Sequence, residues 1–198
     1  MAANPRKSAR KKAGKKAARK KGKRMPELEA RVEILERMVG FLASGYGYRS
    51  ALAKLLAECR RMTKADAGTV MLADWERKEL VFEVVQGRAA PKLQNYRMPI
   101  EDGVAGWVAT HGEPLLIPDA QKDPRYNPKI SRSTRYETRN MICIPITSEG
   151  MIAGVLQLLN HEDQHPFDEA DMVSASVCAS SMGRVAGAME KALLDLGT

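Results

Sequence analysis

Two different periods of apolar and polar positions alternate along this chain, and the changes of period mark its elements. Leu52, Leu55, Leu56, Cys59 and Met62 recur at i, i+3, i+4, i+7 and i+10, which puts them on one face of a helix. Residues 68–73 and 80–85 are short β-rich runs joined by a charged turn from Trp75 to Lys78, the pattern of a first hairpin. A short helix is expected over residues 104–111, with Gly103 and Gly106 at its start and Gly112 as its C-terminal stop. Leu115–Ile117 reads as a strand ended by Pro118. Residues 141–147 and 151–159 flank Ser148, Glu149 and Gly150 at hairpin spacing. A long helix begins at Asp168, an N-cap with Asp171 three residues on and Phe167 set to staple Met172, and runs to about Leu194. In it Ala175, Ala179 and Gly183 leave room for a neighbouring helix. The polar stretch from Asp119 to Asn140 reads as a loop. The expected fold class is therefore α+β: a central antiparallel sheet of about six strands, a helical layer on one side, and the short helix and long loop on the other.

Upstream the pattern changes. Pro26 opens a helix with Glu27 and Glu29 in its first turn, and Leu28, Val32, Leu35, Val39 and Leu42 form an a/d stripe of two heptads. Such a stripe serves either as a dimer seam or as a face packed on its own domain. The seam is the expectation, and Gly45 and Gly47 separate it from the next helix.

Charge divides the chain further. Residues 1–25 hold 12 of the 32 Lys/Arg and none of the 24 acidic residues, so the remainder carries 20 basic and 24 acidic side chains, a net of −4. This Lys/Ala/Arg/Gly tail has too little apolar surface to offset its ordering entropy, and is expected to be disordered alone. It suits nucleic acid bound by counterion release, with no aromatic to read bases. The domain organisation expected is a basic tail over 1–25, a helix or short coiled coil over 26–44, and one folded domain over 46–195. No uncharged apolar run reaches the ~18 residues of a spanning helix, and a signal peptide's apolar core is missing, so a soluble cytoplasmic protein is expected. Cys59, Cys143 and Cys178 are odd in number, lack C-x-x-C spacing and fit reduced buried thiols.

The blocks G-V-A-G-W-V-A, L-L-I-P-D-A, T-R-N-M-I-C-I-P-I and G-V-L-Q-L-L-N stand in an order that resembles the GAF domain, over roughly residues 50–194. The nearest resemblance is to the GAF domains of cyclic-nucleotide phosphodiesterases and bacterial sensory proteins. It implies a small-molecule pocket, homodimerisation through flanking helices, and a cyclic nucleotide as one ligand. The nucleotide contacts of those domains fall here on Thr69, Thr134 and Thr138, whose hydroxyls are kept, and on the backbone pair Val104 and Ala105. They also fall on Val85 in place of a stacking Phe, Gln86 and Ser131 in place of Asp, and Gln157 in place of Glu. The family's N-K…F-x-x-x-D-E motif survives as Asn160, Phe167 and Asp171, with His161 for Lys and Met172 for Glu. Without the aromatic platform and three carboxylates, a cyclic purine nucleotide is disfavoured and the ligand stays open.

Two motifs point elsewhere. His161 to His165 spells H-E-x-x-H, but Pro166 follows at once and the segment lies between strand and helix, whereas zinc proteolysis needs both imidazoles on one helical face. Asp168-Glu169-Ala170-Asp171 spells the helicase box, but no phosphate-binding G-x-x-x-x-G-K-[ST] accompanies it. Free methionine-(R)-sulfoxide reductases share the resembling fold, yet Ala105 stands where their G-V-C-G block places a cysteine. The sequence thus describes a non-enzymatic sensory protein that binds a small ligand or partner. The alternative is a nucleic-acid-associated protein using the fold only to dimerise.

Overall fold

The computed structural model describes residues 47–163 and 165–196, so the basic tail and the Leu28-to-Leu42 stripe lie outside the described residues. Helix α1 (Tyr48–Thr63) leads into β1 (Ala65–Asp74) and β2 (Glu79–Gln86). A single-turn helix α2 (Ala90–Leu93), edge strand β3 (Arg97–Pro99), helix α3 (Gly103–His111) and strand β4 (Leu115–Ile117) follow. Next come a 3-10 turn (Ala120–Lys122), helix α4 (Lys129–Thr134), strands β5 (Met141–Ser148) and β6 (Met151–His161), and helix α5 (Glu169–Leu196). The six strands form one sheet in the order β3-β2-β1-β6-β5-β4. Every neighbouring pair is antiparallel.

Strand alternation divides the core into two layers. Ile142, Ile144 and Ile146 of β5 and Leu156 and Leu158 of β6 face the layer of α1 and α5, where Leu52, Leu55, Leu56, Cys59, Cys178 and Met182 pack on them. Met141, Cys143 and Val155 face the other way, beneath Val104, Val108 and Ala109 of α3. In β2 a bulge breaks the parity: the register passes from Val70↔Val84 to Met71↔Phe82, leaving Glu83 extra. Val84 therefore faces the helices while Phe82 faces the opposite layer. The bulged Glu83 is buried, and its Oε1 accepts from Tyr48 Oη at 2.7 Å and Arg49 Nε at 2.6 Å. Burial first, then the Glu83 hydrogen bond and charge, push the Tyr48 phenol up to about 12. The start of α1 is thus tied to the bulge.

The expected turns form as their residues require. Glu149 at φ 50° and Gly150 at φ 82° make a two-residue hairpin loop, with Ser148 drawn into β5. Gly112 closes α3 in the left-handed region at φ 72°. Asp168 Oδ1 accepts the N–H groups of Ala170 and Asp171 at 2.8 and 3.0 Å, while Asp171 Oδ2 accepts the N–H of Asp168, a reciprocal cap. Two expectations change. The 119–140 loop contains the 3-10 turn and α4, and Gly183 meets a strand: a Cβ there would lie 1.9 Å from the Thr147 carbonyl oxygen of β5. The small residue seats α5 on the sheet.

Gly183→Ala must therefore push α5 off β5. Urea denaturation is expected to show a loss of about 1–3 kcal/mol, the usual cost of overpacking a fitted contact. A midpoint unchanged from the wild type would contradict this close seat.

Candidate functional site

A pocket opens on the sheet face opposite α1 and α5, with an empty volume of about 870 Å³ counted out to its mouth. Its floor follows from strand register. Thr69 of β1 pairs with Val85 of β2 on one side and Gln157 of β6 on the other, so three adjacent strands present one row of side chains. Met71, Phe82, Met98 and Met141 make the walls apolar, as a small-molecule cavity with few oriented polar groups requires. Val104 and Ala105 approach from the first turn of α3, Ser131 and Thr134 from α4, and Thr138 from the segment before β5.

All nine residues singled out from the sequence line this cavity: Thr69, Val85, Gln86, Val104, Ala105, Ser131, Thr134, Thr138 and Gln157. They differ in what they offer. Thr69 and Thr138 bring hydroxyls on residues only 4% and 5% exposed. The Gln157 amide has only soft neighbours, Met141 Sδ at 3.8 Å and Cys143 Sγ at 3.9 Å. Ser131 donates to the Tyr136 carbonyl at 2.6 Å and Thr134 to that of Ile130 at 2.8 Å, which leaves only their acceptor capacity. Gln86 borders the cavity with its amide committed elsewhere: it donates to the Ala53 carbonyl in α1 at 2.7 Å and accepts from Arg60 Nη1 at 3.4 Å. Its neighbour Val85 takes the pocket face, so parity sends Gln86 to the helices.

Two features at the rim are legible only in three dimensions. Asp102 stands at the N-cap of α3 without a side-chain capping bond; its carboxylate instead accepts from Asn127 Nδ2 at 2.6 Å. The first turn of α3, which borders the cavity, is therefore left without a side-chain cap. Beside it the buried Tyr126 hydroxyl has no hydrogen-bond partner among the described residues. The sequence marked Tyr126 only as one polar residue of a loop.

The cover is pinned at its C-terminal end. Asn160 donates to Tyr136 Oη at 3.0 Å and the Glu137 carbonyl at 2.8 Å, and accepts the Arg139 N–H at 2.7 Å. Tyr136 Oη in turn donates to Asp66 Oδ2 at 2.5 Å, and the His161 N–H donates to Asn140 Oδ1 at 3.0 Å. Partners 70 residues apart leave no local signal, which is why Asp66 and Tyr136 escaped the sequence reading. The thiols are set against nucleophilic work. Burial pushes the Cys143 thiol well up, and a hydrogen bond that the Cys59 thiol donates to Cys178, followed by burial, does so for Cys59.

Comparison with known proteins agrees with this architecture. The sequence model of the GAF domain matches residues 48–185. The probable 3',5'-cyclic phosphodiesterase pde-5 of Caenorhabditis elegans is 28% identical over 123 residues, 58% of this chain and 17% of that protein. The dual 3',5'-cyclic-AMP and -GMP phosphodiesterase 11 of Drosophila melanogaster is 31% identical over 153 residues, 70% of this chain and 10% of that protein. The chain thus spans only a small part of these relatives. The crystal structure of a GAF domain from an Acinetobacter phosphoenolpyruvate-protein phosphotransferase matches with TM-score 0.66 at 15% identity, over 83% of this chain and 97% of that one. A free methionine-R-sulfoxide reductase from Neisseria meningitidis, solved with its substrate, gives TM-score 0.66 at 23% identity, over 81% and 89%.

Because the Tyr126 hydroxyl is desolvated without a partner, deleting it costs the ligand-free protein nothing. Tyr126→Phe is expected to leave the stability of that protein unchanged or to raise it by up to about 1–3 kcal/mol. A clear loss in thermal or urea denaturation would show that the hydroxyl is satisfied within the chain.

Proposed function

Residues 48–185 make this chain a member of the GAF domain family, and on that premise we propose a ligand-binding regulatory module whose pocket takes a small organic molecule. The molecule has an apolar body and an acceptor group aimed at the start of α3. The observation that carries this is the pairing of uncapped α3 amides with a buried, partnerless Tyr126 hydroxyl on an otherwise apolar cavity. Donors with nothing to donate to are costly in the ligand-free pocket and become assets when an acceptor arrives.

The relatives are named for cyclic-nucleotide chemistry, but this pocket is poorly furnished for a purine. Val85 offers no ring for stacking, and the Gln86 amide is committed to α1. A lost base stack alone is worth about 1–3 kcal/mol. Calorimetry with cyclic GMP is expected to show weak or no binding, and mass spectrometry of small molecules released from the purified protein is expected to find a different, less polar compound. Submicromolar affinity for cyclic GMP would overturn this assignment, and a protein that neither carries nor binds any small molecule would remove the ligand-binding role itself.

The module is proposed to be non-enzymatic: Ala105 lies at the pocket in place of a reactive cysteine, and the two thiols whose pKa is shifted, Cys59 and Cys143, are pushed up. Its output would pass through partners and through a homodimer formed by the Leu28-to-Leu42 stripe and α5. Among the described residues no helix is long and apolar enough to cross a membrane. A tail with 12 cations and no acid favours a second role, tethering to nucleic acid. If half its charges engage phosphates, log affinity for duplex DNA falls with log salt at a slope of about −5. Filter-binding across a salt series measures that slope, and affinity that survives deletion of residues 1–25 would place any DNA site elsewhere.

A further inference from the structure

The H-E-x-x-H pentapeptide is not on a helix, but the turn that follows β6 gathers its ends. His161 is the last residue of β6, buried to 4% exposure and fixed by the bond from its N–H to Asn140 Oδ1. The chain then reverses so that the His165 ring stacks on that of His161, centroids 4.0 Å apart at 30°. Asp163 sits at the same spot. One ligand atom from each of His161, Asp163 and His165 falls in a group within 4.8 Å of one another. None of the three lines the pocket.

The hydrogen bonds prepare one of these imidazoles. His165 Nδ1 lies 2.9 Å from the Pro166 carbonyl, which can only accept, so Nδ1 is the donor there and Nε2 is the nitrogen turned to a ligand. That Nε2 points toward Asp163 Oδ2, at 3.9 Å. The His161 ring is held edge-on by Phe167 at 5.5 Å, and its Nδ1 accepts only a long bond from the Asp163 N–H, at 3.2 Å.

We infer that His161, Asp163 and His165 form a binding site for one first-row divalent transition metal, of the Zn²⁺ class. Two imidazoles and one carboxylate are borderline donors that suit zinc, nickel or copper and suit calcium or magnesium poorly. Donors bonded at about 2.0–2.2 Å to a tetrahedral ion stand about 3.3–3.6 Å apart, so the group closes by at most about 1.5 Å on binding. The exposed Asp163 and His165 can make that move while the buried His161 stays. Three protein ligands leave a fourth position to water or to a partner's side chain. Glu162 is not among them, so the site is not that of a zinc protease. The resident competitor is Lys64, whose Nζ lies 2.5 Å from Asp163 Oδ2. The metal would fasten the end of β6 to the segment that leads into α5.

The chain has only three histidines and its thiols are buried, so the background is low. The test uses the full chain freed of metal with a chelator, then titrated with Zn²⁺ in calorimetry and with Co²⁺ in visible absorption. One equivalent is expected to bind at micromolar or tighter dissociation constant, with a His-ligated Co²⁺ spectrum. His165→Ala and Asp163→Asn, both at exposed positions, are expected to weaken binding at least tenfold while the circular dichroism spectrum is kept. Lys64→Gln is expected to tighten it severalfold by removing the competing cation. Zn²⁺ should raise the unfolding midpoint of the wild type and not that of His165→Ala. Absence of one-to-one binding up to millimolar Zn²⁺, or binding unchanged in both variants, overturns the site.

Discussion

Strand β6 is the constraint on which the rest depends. It is bonded along one edge to β1 and along the other to β5, so its two-residue alternation is copied into both neighbours. With Leu156 and Leu158 committed to α1 and α5, Val155, Gln157 and Leu159 must face the other way, Val155 into the layer beneath α3 and Gln157 and Leu159 onto the cavity. A slip of one residue would bury Gln157 among leucines and put the helix-facing leucines into the pocket. Core and site are therefore two faces of one register, and a sequence that specifies the first specifies the second. Gly154, where a Cβ would stand 2.1 Å from the Met71 carbonyl oxygen, holds β6 and β1 at the distance this register needs.

That coupling explains what was legible in the chain. The β-rich runs, the glycine stops, the Asp168 cap and the helical stripe are local signals, and they recover both hairpins and both long helices. The floor residues Thr69, Val85 and Gln157 follow from the family pattern because they sit on regular strands. What stayed hidden depends on non-local partners. The bulge at Glu83 has no sequence mark; a buried carboxylate there is tolerable only because Tyr48 and Arg49 arrive from α1. The aim of Gln86 depends on an Ala53 carbonyl 33 residues away. Helix α4 lies in a run of Ser, Thr, Arg and Lys with no buried side chain, so no apolar period announces it.

The cover shows the same logic at the level of polar groups. Asn160 takes a left-handed conformation, φ 56°, that Asn tolerates better than most residues, and from it serves Tyr136, Glu137 and Arg139 together. One amide thus fixes the returning end of the 119–140 segment to the sheet, with the Asn140 bond to His161 beside it. The opposite end is held by backbone, the Ala120 N–H donating to the Arg139 carbonyl at 2.7 Å. Between these pins α4 carries no buried residue of its own. Its position rests on flanking bonds and on the partly buried Ile130 alone, which is the low-stability regime from which binding covers are drawn.

A ligand in this pocket therefore acts on the least packed part of the fold first. It would supply an acceptor to the Tyr126 hydroxyl beside the uncapped start of α3, and apolar contact under α4, so its binding energy would go into ordering the cover. The helical layer would receive that change through β5 and β6, which α5 touches, and through the Gln86 amide, which bonds into α1. The shared path is the end of β6: Asn160 holds the cover, and the next residue, His161, stacks on His165 at the approach to α5. Two adjacent residues thus join the cover of the pocket to the approach to the C-terminal helix, beside the seat of Gly183 on β5 and the link from Gln86 into α1, on which α5 packs.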